Sequence, residues 1–183
     1  MTKETRQNPQ QIFGVQRLTY LALLTSVGLI LHLVESALPP FLPVPGAKLG
    51  LANIATLLAL SLFGIKGAGQ IVLLRIFLAS ILAGTFLTLP FYLSFFGGIL
   101  SFTIMALITV YGQKYFSIIG LSISGALFHN LGQILIASLV IGNWGVLYYL
   151  PYLSAIALPT GFIIGISANY FLTALGRARS CKE

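Results

Sequence analysis

Residues 17–38 read RLTYLALLTSVGLILHLVESAL, an apolar run of 22 residues whose only charged members are Arg17 and Glu35. A helix of about 20 apolar residues crosses the hydrocarbon core of a bilayer, so this run predicts a membrane span. The rest of the chain has the same character. Hydrophobic residues make up 57% of it and charged residues 7%, whereas a soluble domain carries roughly 25% charged residues. The sequence therefore predicts an integral membrane protein.

Proline- and glycine-rich turns divide the chain into six apolar runs. These runs are too long to be strands of a membrane barrel, so the predicted fold class is all-α, a bundle of six transmembrane helices. Polar tails at residues 1–16 and 176–183 flank this transmembrane domain of residues 17–175. The predicted spans are 17–38, 49–64, 67–86, 91–111, 117–141 and 149–175.

The basic residues predict the orientation of the bundle. Two basic residues stand apart, because Arg75 lies within the third span and Lys48 in an outer loop. With six spans, all the others fall on one side of the membrane, which the positive-inside rule makes the cytoplasmic side. Both termini are therefore predicted to be cytoplasmic, in a multi-pass protein of the bacterial cell membrane. No basic patch with interleaved aromatic residues occurs, so nucleic acid is not a predicted partner. The residues on the cytoplasmic side are Lys3, Arg6, Arg17, Lys66, Lys114, Arg177, Arg179 and Lys182.

The shortage of acidic residues excludes several kinds of chemistry. The chain has no aspartate and three glutamates, of which only Glu35 lies inside an apolar run. A carboxylate cluster for Mg²⁺ and a two-carboxylate hydrolase site are both excluded. The single cysteine, Cys181, cannot build a metal cluster, and no phosphate-binding loop is present. The sequence predicts a protein that is not an enzyme and uses no metal or cofactor.

The few polar residues in the apolar runs are the candidates for function, because polar groups in a membrane are costly. His32 and Glu35 lie near the outer end of the first span, and Asn53 about a turn and a half inside the second. Arg75 lies in the third span, where an arginine costs about 2.5 to 3.5 kcal/mol. We predict that these helices share a water-accessible outer cavity. Its predicted ligand-binding residues are Glu35, Lys48, Asn53, Arg75, His129, Asn130 and Gln133.

Charge predicts the kind of ligand. Glu35 can neutralise only one of the two cations Lys48 and Arg75, which leaves one positive charge in the outer half of the membrane. A ligand with negative charge or strong acceptors would solvate that charge. The alternative is that Glu35 pairs with one cation and only holds the bundle together.

Small residues four positions apart allow two helices to approach closely. Ala22 and Ser26 form such a pair in the first span, where docking to a partner helix and packing within the bundle are both open interpretations. Ala157, Gly161 and Gly165 repeat the pattern in the sixth span, where packing within the bundle is favoured.

Two stretches carry a resemblance to a known family. Residues 43–53 read PVPGAKLGLAN and lead into an apolar run that ends at Phe63 and Gly64, and residues 129–133 read HNLGQ. With these motifs the chain resembles the Gx transporter family over about residues 17–175. Members of this family are often labelled heptaprenyl diphosphate synthase component I and are related to the S components of energy-coupling factor (ECF) transporters.

The resemblance implies an S-component fold that captures its substrate from outside and passes it to an ATP-driven importer. The implied partners are a transmembrane coupling subunit and two ATPase subunits. Small residues on the first helix of S components contact the coupling subunit, and Ala22 matches that pattern while Ser26 replaces the second alanine. The substrate class stays open among vitamins, flavins and isoprenoid precursors.

Two other functions remain open. One is a stand-alone secondary carrier. The other is a non-catalytic membrane subunit of an isoprenoid, quinone or electron-transfer pathway. The synthase label itself fits poorly, because prenyl diphosphate synthases share aspartate-rich Mg²⁺ motifs and this chain has no aspartate.

Overall fold

A computed structural model describes residues 15–37, 50–112 and 114–174. These ranges are helical with short turns and contain no strand, which confirms the all-α prediction. A short 3₁₀ helix, Trp144–Tyr149, precedes the last α-helix. All five α-helices are long and apolar enough to cross a membrane. They are α1 (Val15–Ala37), α2 (Asn53–Leu82), α3 (Leu89–Tyr111), α4 (Ile118–Ile141) and α5 (Leu150–Ala174).

Helix α2 is broken at Gly64, where the backbone has φ 70° and ψ −169°. Asn53 and Arg75 are each eleven residues from Gly64, and in a straight helix they would be about 33 Å apart. Instead, the Arg75 guanidinium donates to Oδ1 of Asn53 at 3.3 Å. The chain therefore reverses direction at Gly64, and the two arms of α2 lie side by side.

The structure differs here from the prediction of two separate spans, 49–64 and 67–86. One helix with an internal break covers both, and its first arm is shorter than a full membrane span. The helix begins at Asn53, because Gly50 has a positive φ of 84° and the next two residues form a turn. Asn53 is therefore the first residue of its helix and not a turn and a half inside it. Six separate helices are not confirmed.

Helix α1 packs on α2 through a single stripe of buried residues. The only described helix that packs against α1 is α2. Thr25, His32 and Glu35 are buried on this stripe. Near the N-terminus of α1, the Tyr20 ring lies 6.5 Å from the Phe63 ring, so the start of α1 is beside the reversal in α2. The opposite end of α1 carries Glu35.

Glycines bring α3, α4 and α5 into close contact. A Cβ atom on Gly132 of α4 would lie 2.9 Å from Cα of Gly97 in α3. A Cβ atom on Gly161 of α5 would lie 2.9 Å from Cα of Ile123, and one on Gly165 would lie 2.7 Å from Cα of Ile119. The prediction that the small residues of the last span pack within the bundle is confirmed.

Exposed tyrosines mark both ends of two helices. Tyr92 and Tyr111 of α3 are 19 residues apart, a rise of about 28 Å. Tyr152 and Tyr170 of α5 are 18 residues apart, a rise of about 27 Å. Aromatic rings are enriched at membrane–water interfaces, and the hydrocarbon core is about 30 Å thick. In each helix, the distance between the two exposed tyrosines is therefore the distance expected for a helix that crosses a bilayer.

Candidate functional site

A small cavity lies between α1, α2, α3 and α4, at the end of the bundle opposite Gly64. Its volume is about 10 Å³, roughly the space for one water molecule. Ser94, which lines the cavity, is two residues from the exposed Tyr92 at the start of α3. By helical rise the cavity therefore begins about 3 Å deeper in the bundle than Tyr92. The lining residues are His32, Glu35, Gly50, Ala52, Arg75, Ile76, Ser94 and His129.

Arg75 and Asn53 form the charged centre of this site. Arg75 is 2% exposed and Asn53 is 4% exposed. The reversal at Gly64 brings them together, so that the guanidinium donates to Oδ1 of Asn53. Within the ranges that the structure describes, neither Nε of Arg75 nor Nδ2 of Asn53 has a hydrogen-bond partner. Each of the two residues thus retains one buried donor.

Glu35 connects the two ends of the chain segment that separates α1 from α2. Its carboxylate accepts a hydrogen bond of 2.5 Å from the backbone N–H of Gly50, in a buried position. A Cβ atom on Gly50 would lie 3.2 Å from Nδ2 of Asn53, and its φ of +84° also favours glycine. Glu35 therefore holds the turn that begins α2 next to the cavity.

His129 and Gln133 lie one helical turn apart on the face of α4 that meets α3. Nε2 of the Gln133 amide is 3.1 Å from Nε2 of His129. The two side chains are within hydrogen-bond distance, and the tautomer of the His129 ring decides which of them donates. The close approach at Gly97 supports this arrangement, since a Cβ there would lie 2.9 Å from Cγ of Gln133.

The structure brings together some of the predicted ligand-binding residues and separates one. Glu35, Arg75 and His129 line the cavity; Asn53 contacts Arg75 and Gln133 contacts His129. Asn130 is directed elsewhere, because its Nδ2 donates to the backbone oxygen of Leu153 at 3.0 Å and so ties α4 to α5. Lys48 lies outside the residues that the structure describes.

Sequence reasoning missed two members of the site. His32 was not among the predicted ligand-binding residues, although it is one of only two histidines. Ser94 was missed because serine in an apolar helix usually donates back to its own helix, as Ser138 does to the Ile134 carbonyl. Only the three-dimensional structure distinguishes the two serines.

Ala22 and Ser26, the predicted docking pair, are exposed on α1. The Ser26 hydroxyl donates back to the Ala22 carbonyl at 2.9 Å, so this surface presents little unsatisfied polarity. Both residues line an open groove of about 620 Å³ between α1 and the second arm of α2. The other residues along the groove are Leu18, Leu21, Thr25, Gln70, Ile71, Leu73, Leu74 and Leu78.

Fold and site together define a multi-helix membrane protein with a small polar cavity buried between its helices. Residues 24–171, most of the chain, match the family model of heptaprenyl diphosphate synthase component I. The chain therefore belongs to this family, which is a Gx, S-component-like transporter family. No match is found among curated proteins or among solved structures.

Proposed function

We propose that the chain is the substrate-binding subunit of an ATP-driven importer of the ECF type. It binds a small anionic or strongly polar molecule beside Arg75. One observation carries this proposal: Arg75 and Asn53 are almost fully buried, yet each has a donor without a partner among the described residues. An unsatisfied buried donor costs about 1–3 kcal/mol. A ligand that accepts hydrogen bonds would recover that free energy.

The reversal in α2 supports a six-pass arrangement like that of an S component. The two arms of α2 and the four other helices would cross the bundle in alternating directions. Arg17, Lys66 and Lys114 would then lie at the same end, near the reversal at Gly64. By the positive-inside rule this end is cytoplasmic, which directs the cavity outward.

Ligand entry requires the cavity to enlarge. A space of about 10 Å³ admits one water and no larger molecule. Helix α1 is the wall that can move with the least loss of packing, because 22% of its span is buried compared with 50% for α4. We propose that α1 moves relative to α2 when the substrate enters.

The groove along Ala22 and Ser26 supports a partner on the exposed side of α1. A coupling subunit that inserts a helix there would meet a surface that is mostly apolar and closely approachable at Ala22. In this proposal two ATPase subunits supply the energy, and the chain itself binds without catalysing a reaction. The synthase label of the family would then describe a pathway connection and not a reaction of this chain.

The direct test is ligand binding by the purified protein in lipid nanodiscs. Mass spectrometry of small molecules that it retains identifies the ligand, and titration gives its affinity. We expect Arg75→Ala and Lys48→Ala each to weaken binding, while Lys66→Ala, a cation at the opposite end of the bundle, leaves affinity unchanged. Unchanged affinity in both Arg75→Ala and Lys48→Ala would contradict the anion site.

A second measurement tests the energy source. Co-purification with a coupling subunit and ATPase subunits, and uptake that stops when ATP hydrolysis is blocked, are the expected results. Proton-driven uptake by the chain alone would instead identify a secondary carrier. Normal uptake in a deletion strain, with loss of a pathway product, would identify an accessory subunit.

A further inference from the structure

The hydrogen-bond polarity of the cavity identifies the chemical class of its ligand, an inference that rests on the proposed function. We infer that the group bound beside Arg75 is a fully ionised oxyanion, such as a carboxylate, that accepts hydrogen bonds and donates none. Groups with N–H donors, such as a primary amide or an ammonium, are excluded from this position. The site selects by the direction of its hydrogen bonds as well as by its charge.

The contact with Arg75 sets the orientation of the Asn53 amide. An arginine guanidinium can donate hydrogen bonds but cannot accept them. The atom of Asn53 that contacts Arg75 must therefore be the oxygen, in agreement with the 3.3 Å contact to Oδ1. This fixes the NH₂ group on the other side of the amide, where Nδ2 has no partner among the described residues. Asn53 thus offers the site a donor, and its acceptor is occupied.

Glu35 and His129, two other residues of the cavity lining, each have a partner within the protein. The Glu35 carboxylate accepts from the N–H of Gly50. Nε2 of His129 lies 3.1 Å from the Gln133 amide nitrogen, within hydrogen-bond distance. Part of the acceptor capacity around the cavity therefore already serves the protein, whereas Arg75 and Asn53 each retain a donor without a partner among the described residues.

Helix α3 presents Gly98, which has no side chain, to the Arg75 guanidinium. A Cβ atom on Gly98 would lie 3.9 Å from the Arg75 NH2 atom, so the guanidinium lies beside this glycine. Ser94 and Ser101 are one turn to either side of Gly98 on the same helix. Both side chains are buried, and within the described part of the chain neither hydroxyl has a hydrogen-bond partner.

These two serines differ from three other hydroxyl residues in α3 and α4. Thr103, Thr109 and Ser138 each donate to the carbonyl four residues earlier in their own helix. The hydroxyls of Ser94 and Ser101 make no such bond and so retain a proton to donate. Ser94 also lines the cavity. Arg75 of α2 and Ser94 of α3 thus both bring donors to the cavity lining.

An ammonium, or the N–H groups of an amide, placed against the Arg75 guanidinium and the Asn53 NH₂ would bring donors against donors. Each such contact leaves two buried donors unsatisfied, and the guanidinium would also repel a cation. An oxyanion meets the same atoms with lone pairs and opposite charge. Charge-assisted hydrogen bonds of this type are stronger than neutral ones.

The experiment compares acetate with acetamide, two probes of similar shape that differ in the presence of N–H donors. Each is titrated into the full-length protein in nanodiscs at constant ionic strength, and binding is followed by calorimetry and by the midpoint of thermal unfolding. We expect saturable binding of acetate and none of acetamide. The same series with sulfate tests a second oxyanion and is expected to behave like acetate.

Two variants test which side chains bind the acetate. Asn53→Asp keeps the oxygen that contacts Arg75 and replaces the NH₂ donor by an acceptor, so acetate binding should weaken by at least about tenfold. Ser94→Ala should weaken it less. Ser138→Ala is the matched control, a serine that is 2% exposed compared with 4% for Ser94 and whose hydroxyl is already bonded. It should bind acetate like the wild type.

Equal binding of acetamide and acetate overturns the inference, and so does unchanged acetate affinity in both Asn53→Asp and Ser94→Ala. These failures are separate from a failure of the proposed function. If a retained natural ligand binds through an amide or ammonium beside Arg75, the importer proposal survives and this inference does not. If uptake needs no ATPase, the importer proposal fails while selectivity for oxyanions still holds.

Discussion

The cavity has two very different walls. On one side, α3 and α4 meet so closely at Gly97 and Gly132 that a Cβ atom on Gly132 would lie 2.9 Å from backbone atoms of α3. On the other side, α1 contacts no described helix except α2, and 22% of its span is buried compared with 50% for α4. One wall is fixed by backbone contacts, and the other is held by a single stripe of side chains.

This difference shows how a binding site can combine precision with access. His129 and Ser94 belong to the fixed wall, which keeps donor groups in place at little entropic cost when a ligand binds. His32 and Glu35 belong to α1, whose displacement breaks fewer contacts. Arg75 and Asn53 lie between the walls, on the two arms of α2.

The largest expected effect on stability comes from a substitution in the fixed wall, where α3 meets α4. Gly132→Ala would place its methyl group 2.9 Å from Cα of Gly97 and from the carbonyl oxygen of Phe96. Backbone atoms cannot move aside as a flexible side chain can, so we expect a loss of about 3 kcal/mol in stability. Thermal or denaturant unfolding in detergent measures it. Gly120→Ala on the same helix is the control, because its nearest contact is 3.4 Å and the change should be tolerated.

The next effect concerns the reversal that brings Asn53 to Arg75. Gly64 has φ 70° and ψ −169°, a region that only glycine adopts readily. No atom lies within 4 Å of a Cβ at this position, so Gly64→Ala isolates backbone strain from steric overlap. We expect a loss of about 2 kcal/mol in stability, together with weaker ligand binding. A stability equal to that of the wild type would show that the reversal does not need glycine.

A smaller effect is expected on the movable wall. Gly28→Ala on α1 would place a methyl group 2.9 Å from Cβ of Ala55 and 3.3 Å from Cδ of Arg75. Because α1 can shift away from α2, we expect a loss of only about 1 kcal/mol. Unfolding measurements on Gly28→Ala and Gly132→Ala side by side test the comparison directly. Equal losses for the two variants would mean that the walls are equally rigid.

The smallest expected effect on stability is at Ser94. Its buried hydroxyl has no partner among the described residues, so Ser94→Ala should change stability by less than about 1 kcal/mol, in the stabilising direction. Ligand binding should weaken in the same variant. A gain in stability together with a loss of ligand affinity distinguishes a binding residue from a structural one. A marked loss of stability in Ser94→Ala would assign the serine to packing.

Much of the fold could be predicted from the chain because it depends on composition. The apolar runs predicted the bounds of α1, α3, α4 and α5 to within two residues. The prediction was wrong at both ends of α2, which it placed at 49 and 86. At the start, Leu51 and Ala52 are as apolar as the helix that follows, and hydropathy cannot separate a turn from a helix. The small residues of α5 were interpreted correctly, because glycine at four-residue spacing has one main use in a bundle.

The candidate site was less predictable. Glu35, Arg75 and His129 were found because each is costly in a membrane and therefore conspicuous in the sequence. Asn130 was expected to face the cavity, but it bonds to Leu153 instead. Placing an asparagine in the membrane costs the same free energy whether its side chain faces a ligand or a neighbouring helix. The residue type alone therefore cannot decide between a binding role and a packing role.

By itself, the sequence determined that this protein is a helical membrane protein, because the transfer of apolar residues from water to lipid depends on their number and not on their arrangement. It also determined which polar groups had to be accommodated in the membrane. Only the tertiary structure decided which of those groups meet. The partner of Arg75 depends on a reversal at Gly64 and the donor character of Ser94 on where its hydroxyl points, and both are set by contacts between residues far apart in the chain.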